Sequence, residues 1–392
     1  MAGAYGFRWP VLSLGLRLFY LLAACWAVLA VPLWWLLWSG TWSVSPALPA
    51  LFWHAHEMLF GFAEAVIWGF LLTAVGNWTQ QPTATGGKLA LLGLLWLSAR
   101  LALWCGPLWL AEPLDLLLIP AVMSVLIPPI IKKRQYRNLF VLGVGLVLES
   151  LNLCFFYNLH HPERLYAIVY GAFGVIITLE TIITGRVVPM FSRNMAGVTL
   201  HFQSALFERL LSSLTAVSAL LLVVSAPPVL ILLVCPITVA AHVVRLWNWQ
   251  PWKVRHYPLL WVLYLGSLSI PLGFVAAIFH ELQALPLTAV LHTWAFGMVI
   301  LMSGMMTRSA MGHTGRPLQS DHVEQSMYLC LLLAGVLRLS PYLVPAAAAH
   351  FSGVLLCVVL LWDLAFLLFL RRYGPWLMAL RADALVRYSA PR

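Results

Sequence analysis

Strongly apolar runs recur along almost the whole chain. An α-helix needs about 20 apolar residues to cross the hydrocarbon core of a bilayer, and the runs have that length. Only 9% of the residues are charged, against about 25% in soluble domains. The sequence therefore predicts an all-α integral membrane protein, a single polytopic domain over residues 1–392. Polar or Pro/Gly-rich stretches separate twelve predicted spans, at residues 16–38, 54–76, 88–106, 113–131, 138–157, 165–184, 205–225, 229–247, 257–279, 286–306, 324–343 and 346–370.

The distribution of lysine and arginine indicates the orientation. If the N-terminus is cytoplasmic, all but three of the 23 basic residues lie on the inner side, and the exceptions are Arg100, Arg164 and Arg338. This bias follows the positive-inside rule and predicts cytoplasmic N- and C-termini, with a cytoplasmic tail over residues 373–392. The net charge of +10 then reflects loops that face anionic lipid, so no nucleic-acid partner is predicted.

Three histidines near the outer surface are the candidate metal ligands. His54 and His56 open span 2, and His292 lies about six residues inside span 10. Placing an ionisable side chain in lipid costs free energy, and imidazole is a common ligand of haem iron and copper. We therefore predict that His56 and His292 bind the two faces of a haem, or share a copper with a third ligand. Alternatively, such histidines cap an interfacial helix and bond to headgroups or loop backbone.

The position of His54 relative to His56 leaves two alternatives. Residues i and i+2 of a regular helix point about 200° apart. His54 and His56 therefore face one metal only if the chain is extended there, and otherwise they serve different centres. None of the six cysteines forms a Cys-x-x-Cys pair or a Cys-x-x-Cys-His motif, so any haem is predicted to be non-covalently bound haem b.

Four of the carboxylates inside predicted spans form a second candidate set. They are Glu57 and Glu64 in span 2, Glu149 in span 5 and Glu180 in span 6. An unpaired carboxylate at such depth is protonated or bound to a partner. One interpretation is a proton path or a counter-charge for a metal centre. The other is hydrogen bonding between helices by neutral acids.

A short pattern recurs every four spans. Span 2 carries His56-x-x-x-Phe-Gly, span 10 carries His292-x-x-x-Phe-Gly, and span 6 carries Phe173-Gly without the histidine. The recurrence predicts three four-helix units. Chance is the alternative, because Phe and Gly are common in membrane helices.

Two segments on the inner side combine arginine with glycine and proline. They are Gly-Arg-Val-Val-Pro-Met-Phe-Ser-Arg-Asn at 185–194 and Met-Thr-Arg-Ser-Ala-Met-Gly-His-Thr-Gly-Arg-Pro at 306–317. We interpret both as shaped turns whose guanidinium groups clamp carboxylates or haem propionates. For arginine alone, topogenic positive charge is the alternative. The residues singled out are Arg186, Arg193, Arg308, His313 and Arg316.

These segments resemble signatures of the NnrS family. The span 2 signature is His-Ala-His-Glu-Met-Leu-Phe-Gly-Phe at 54–62, followed by Gly-Phe-Leu-Leu-Thr-Ala-Val-Gly-Asn-Trp-Thr at 69–79; the inner segments resemble two others. One departure is Gly76, where the family pattern has proline. The resemblance implies a bacterial inner-membrane protein that contains haem and copper and helps cells to withstand nitric oxide, in nitrosative stress and denitrification. It implies no settled catalytic reaction and no established ligand set.

Two classes of function follow from these observations. The first is a haem and copper protein that binds or removes nitric oxide, or protects cellular iron from it. The second is a twelve-helix proton-coupled secondary transporter, since inner carboxylates suit coupling of substrate to protons. No inverted repeat or transporter loop signature supports the second class. Whether the protein is an enzyme stays open at this point.

Overall fold

The computed structural model describes residues 9–383. Twelve helices in this part of the chain are long and apolar enough to cross a membrane, and none of its residues forms a β-strand. They are α1 (Gly15–Trp38), α2 (Ala50–Thr79), α3 (Gly86–Cys105), α4 (Leu108–Lys132), α5 (Tyr136–Tyr157), α6 (Pro162–Ala196), α7 (Ala205–Val223), α8 (Pro228–Asn248), α9 (Pro258–Glu281), α10 (Leu287–His313), α11 (His322–Leu343) and α12 (Phe351–Met378). This confirms the predicted all-α, multi-pass membrane fold.

The described residues divide into two compact units. The first contains residues 9–157, 306–319 and 366–383, and the second contains residues 158–305 and 320–365. This division does not follow three four-helix groups, so the threefold repeat stays a prediction. The cytoplasmic location of both termini also stays a prediction. The last part of the predicted tail, residues 384–392 with Arg387 and Arg392, and Arg8 at the other end lie outside the described residues.

Helix α2 is the central helix of the first unit. In its most apolar stretch 89% of the residues are buried, against 39–44% for α1, α3, α4 and α5. Helix α1 packs closely along it, because Gly69 leaves room for Phe19 and Tyr20. The N–H of Leu16 also donates to Thr73 Oγ1 at 3.0 Å. Helices α3 and α4 contact α2 as well, so side chains at its middle are enclosed by protein.

In the second unit, helices α9 and α10 approach closely through small residues. A Cβ atom on Gly273 would clash with the Trp294 ring, and one on Gly297 would clash with Ser269. Small residues at such crossings allow close backbone approach in a membrane, where dispersion rather than the hydrophobic effect favours packing. Helices α6, α7 and α8 pack in sequence beside them.

The prediction of a shaped turn at 185–194 is wrong, because α6 continues as helix to Ala196. The segment is amphipathic: Val188 and Ser192 are buried, whereas Arg186 and Arg193 are exposed. The helix therefore keeps an apolar seam after the charged residues begin, and Pro189 is accommodated within it. For 306–317 the prediction is wrong up to His313, where α10 ends. Only the last four residues turn, at Gly315 with φ +73°.

Candidate functional site

Helix α2 changes its winding at the candidate site. It is a regular α-helix over Ala50–His56, a π-helix over Glu57–Ala63 and an α-helix again from Glu64. Such π-helical segments are rare and frequently occur at functional sites. Gly61 lies in this segment, and a Cβ atom there would be 2.8 Å from Glu57 Oε2 and 2.9 Å from Arg100 Nη1. Only glycine therefore leaves room for the two charged groups.

These two groups belong to a buried polar network between α2, α3, α4 and α5. Arg100 Nη1 donates to Glu57 Oε2 at 3.1 Å and to Oε1 at 3.3 Å, and Arg100 Nη2 forms an ion pair with Asp115 Oδ1. His56 Nδ1 lies 3.3 Å from Glu57 Oε1, and its Nε2 lies 3.2 Å from Asp115 Oδ2. The side chain of Asn152 joins both, with Oδ1 3.1 Å from His56 Nε2 and Nδ2 donating to Asp115 Oδ2 at 2.7 Å.

The network carries an odd number of fixed charges. Glu57 and Asp115 together bear two negative charges, and Arg100 bears one positive charge. Protonation of His56 on both nitrogens would bring the sum to zero, and both nitrogens already face oxygen acceptors. His56, Glu57 and Arg100 are each 0% exposed. In such a low-dielectric site the electrostatic interactions are strong, and an unpaired charge is costly.

Aromatic rings enclose His56. The ring centroids of Phe60, Phe155 and Phe156 lie 5.1, 5.1 and 5.3 Å from its own. Trp96 on α3 donates its Nε1–H to the Gly61 carbonyl at 3.2 Å. Aromatic side chains thus separate the network from water, and Trp96 also bonds to the π-helical segment.

His54 and His56 point into different surroundings. Because the helix is regular up to His56, the two rings diverge, and His54 stacks on Trp34 with centroids 4.2 Å apart. His292 belongs to the second unit, is partly buried, and lies with Nδ1 2.7 Å from the Thr288 carbonyl. The convergence of His56 and His292 on one cofactor stays a prediction. Among residues 9–383, no group of three or more His, Cys, Asp or Glu is arranged to hold a metal ion.

The other predicted carboxylates differ from Glu57. Glu64 and Glu149 lie in the first unit, close enough for Coulomb repulsion, and Glu180 lies in the second. Each has a buried carboxylate oxygen to which the described residues offer no hydrogen bond. Glu57 is ion-paired, whereas each of these three acids has a buried oxygen without a bonding partner among the described residues, and burial of such a group favours its neutral form.

The residues of the two inner segments occur in separate surroundings. Arg186 and Arg193 lie near the C-terminal end of α6 in the second unit, whereas Arg308, His313 and Arg316 lie in the first. Arg308 and His313 are still helical, and Arg316 follows in the turn, with its guanidinium 4.5 Å from the Trp376 ring centroid. Burial lowers the pKa of Arg316.

A comparison with protein-family models decides to which family the chain belongs. The model described as NnrS protein matches residues 10–381. The chain belongs to the NnrS family. Membership confirms the resemblance carried by the motifs, and at the level of the family it identifies a nitric-oxide-related membrane protein. No curated protein matches the chain.

Three residues of the network in this NnrS family member escaped the sequence reasoning. Arg100 was counted only as an outer basic residue, and Asp115 and Asn152 were not singled out. A signal was present, since each is a polar residue inside a predicted apolar span. Intramembrane ionisable residues are candidates for function by default and require a partner. Asking which residue pairs with Glu57 would have pointed to Arg100.

Proposed function

We propose that this NnrS family member is a haem- and copper-binding protein of the bacterial inner membrane that acts in the response to nitric oxide. Binding or removal of nitric oxide, or protection of cellular iron, in nitrosative stress and denitrification is the proposed role. The observation that carries the proposal is the enclosed His56–carboxylate–arginine network in the π-helical segment of α2. Burial of such a network costs desolvation free energy, and it gives no gain in folding stability over a well-packed apolar core.

The donor atoms around His56 fit copper better than haem. His56 Nε2, Asp115 Oδ2 and Asn152 Oδ1 form a nitrogen and oxygen set in which the imidazole lies 3.1–3.2 Å from both oxygens. Copper(II) accepts such ligands. The three enclosing phenylalanine rings leave the imidazole no open face for a porphyrin. Glu57 at Nδ1 would orient the imidazole, as carboxylates do beside metal-bound histidines.

His292 fits haem iron. Its Nδ1 lies within hydrogen-bond distance of the Thr288 carbonyl, and a proton on Nδ1 fixes the tautomer in which Nε2 carries the lone pair that binds iron. When bound, haem iron or copper would supply the coordination position for nitric oxide. The chain's own groups exclude water at His56, and Glu57 would hold the proton on its Nδ1.

Metal analysis and an optical spectrum of the purified protein test this proposal. We expect a Soret band and stoichiometric copper in the wild type, loss of haem in His292→Ala and loss of copper in His56→Ala. His160→Ala is the matched control, since His160 is exposed in the segment between α5 and α6. Equal metal content in all three variants would refute the ligand choice.

The buried acids Glu64 and Glu180 favour a second candidate function, that of a proton-coupled secondary transporter. Glu64 and Glu180 are buried acids with carboxylate oxygens that the described residues leave unbonded, as expected of groups that take up and release protons. Absence of a Soret band together with absence of stoichiometric metal would favour this function. Glu64→Gln would then abolish coupled uptake while leaving the fold intact.

A further inference from the structure

A cleft of about 280 Å³ opens in the second unit where α6 ends. The last turns of α6, the segment that follows it, the start of α7 and the end of α8 line the cleft. On the topology predicted from the basic residues, this is the cytoplasmic end of the helices. The polar lining residues are Arg186, Arg193, Gln203, Ser204, Glu208 and Asn248.

Two arginines lie along one side of the cleft. Arg186 and Arg193 are seven residues apart on α6, which is close to two full turns, so they lie on the same side of the helix about 10 Å apart along its axis. Between them Pro189 and Met190 form an apolar part of the wall. Arginine side chains are long enough to bring both guanidinium groups onto one ligand placed between them.

The first turn of α7 adds backbone donors on another side. Ser204 caps this helix: its Oγ accepts from the Phe207 N–H at 3.1 Å, and its carbonyl accepts from the Glu208 N–H at 3.2 Å. The N–H groups of Ala205 and Leu206 precede these at the open end of the helix, and Ser204 and Ala205 line the cleft. Helix N-termini favour oxyanions through these groups and through the helix dipole.

The segment between α6 and α7 is held in place before any ligand binds. Asn248 Oδ1 accepts from the Phe202 N–H at 2.9 Å, and Asn248 Nδ2 donates to the Phe202 carbonyl at 3.1 Å. Gln250 Nε2 also donates to the Thr199 carbonyl. A pre-organised site loses little conformational entropy when it binds a ligand.

The charges around the cleft sum to a positive value. Glu208 is the one carboxylate among the lining residues, and its Oε2 lies 3.4 Å from Nε of the buried Arg245. With Arg186 and Arg193 the four side chains carry a net charge of +2. A ligand with two negative charges would neutralise this excess, and the negative charge of an anionic lipid headgroup would reduce it.

We propose that this cleft binds a phosphate group, carried either by an anionic lipid headgroup or by a soluble phosphate. A tetrahedral oxyanion presents oxygens in several directions, so it accepts from two guanidinium forks and from helix N–H groups at once. A planar carboxylate cannot use donors on three sides in this way. The proposal does not depend on haem or copper.

Binding by the purified full-length protein tests the proposal in two arms. Inorganic [³²P]phosphate in equilibrium dialysis measures a soluble ligand, and native mass spectrometry with phosphatidylglycerol against phosphatidylcholine measures a lipid headgroup. We expect saturable binding in one arm and a loss of about 100-fold in affinity in Arg186→Gln/Arg193→Gln, or about tenfold per arginine. If the double variant does not fold, Arg193→Gln alone is expected to weaken binding about tenfold.

Two further variants separate a built site from surface charge. Arg209 is exposed on α7, outside the cleft, with Nε donating to the Ala205 carbonyl at 3.2 Å, so Arg209→Gln should leave affinity unchanged. Glu208→Gln removes a negative charge from the lining and should tighten binding. An equal loss in the Arg209 and cleft-arginine variants, or no saturable binding in either arm, would overturn the proposal.

Discussion

One arginine in each unit is among the largest fully buried side chains of the described residues, and these two, Arg100 and Arg245, are neutralised in different ways. Arg100 in the first unit is bound by two buried carboxylates, Glu57 and Asp115. Arg245 in the second unit donates to the Thr181 carbonyl at 2.7 Å and to Thr184 Oγ1 at 3.0 Å. It also lies 4.4 Å from the Trp249 ring centroid.

The comparison shows what each site can accept. Around Arg100 the carboxylates are in excess, so the site has room for a further positive charge: a proton on His56 or a metal ion. Around Arg245 mainly neutral dipoles and an aromatic face stabilise the guanidinium, and among the described residues its carboxylate partner is Glu208, at 32% side-chain exposure. The second site therefore keeps positive charge for an anion at the neighbouring cleft.

The largest expected difference between the two sites is the effect of removing the arginine. Arg100→Leu leaves two carboxylates buried without a counter-charge and should destabilise the protein by about 3–5 kcal/mol. Arg245→Leu removes hydrogen bonds to mostly neutral partners and should cost about 1.5–3 kcal/mol. Thermal unfolding of both variants in the same detergent measures the difference. The comparison fails if Arg245→Leu is the more damaging variant.

The side chains that complete each network provide a second contrast. Asn152→Leu removes the amide that bridges His56 and Asp115 and should cost about 1.5–3 kcal/mol, because both buried groups lose a partner. Thr184→Val removes one hydrogen bond from Arg245 while the Thr181 carbonyl remains its partner, and should cost about 0.5–1.5 kcal/mol. Denaturant unfolding of the two variants decides the order, and equal values would mean that bridging two groups gives the Asn152 amide no added effect on stability.

The third contrast concerns the glycine beside each arginine, and the smallest expected effect is at Gly185. Gly61→Ala places a methyl group against Glu57 and Arg100, which are fully enclosed, and should cost about 1–3 kcal/mol. At Gly185 the new methyl group would be 2.8 Å from Arg245 Nη2 and close to the Glu208 carboxylate. Since Glu208 can turn toward solvent and alanine favours a helix by about 1 kcal/mol, Gly185→Ala should be nearly neutral. If Gly61→Ala and Gly185→Ala lowered the melting temperature equally, the side chains around the two glycines would not differ in how tightly they are enclosed.

The number and approximate position of the helices followed from the sequence, because bilayer thickness fixes the length of an apolar run. The predicted ends were poorest at the C-terminal ends of α6, α10 and α12. There the helices continue beyond the hydrophobic stretch, so the boundary of the apolar run was not the boundary of the helix. For α6 this placed Arg186 and Arg193 on a helix surface rather than in a turn.

The candidate site was only half visible in the sequence. His56 and Glu57 stood out because ionisable residues within an apolar run are rare. Their partners did not, since Arg100 lies 43 residues from Glu57 and Asn152 lies 96 residues from His56. The π-helical winding over Glu57–Ala63 also has no simple sequence pattern, because it depends on which side chains pack around Gly61.

Sequence alone determined that this chain spans the membrane about twelve times and belongs with nitric-oxide-related membrane proteins, since hydrophobic length and local motifs are properties of contiguous residues. Only the tertiary structure decided which buried charges are paired. Coulomb interactions and hydrogen bonds depend on distances between side chains from different helices, and those distances are set by packing rather than by spacing along the chain.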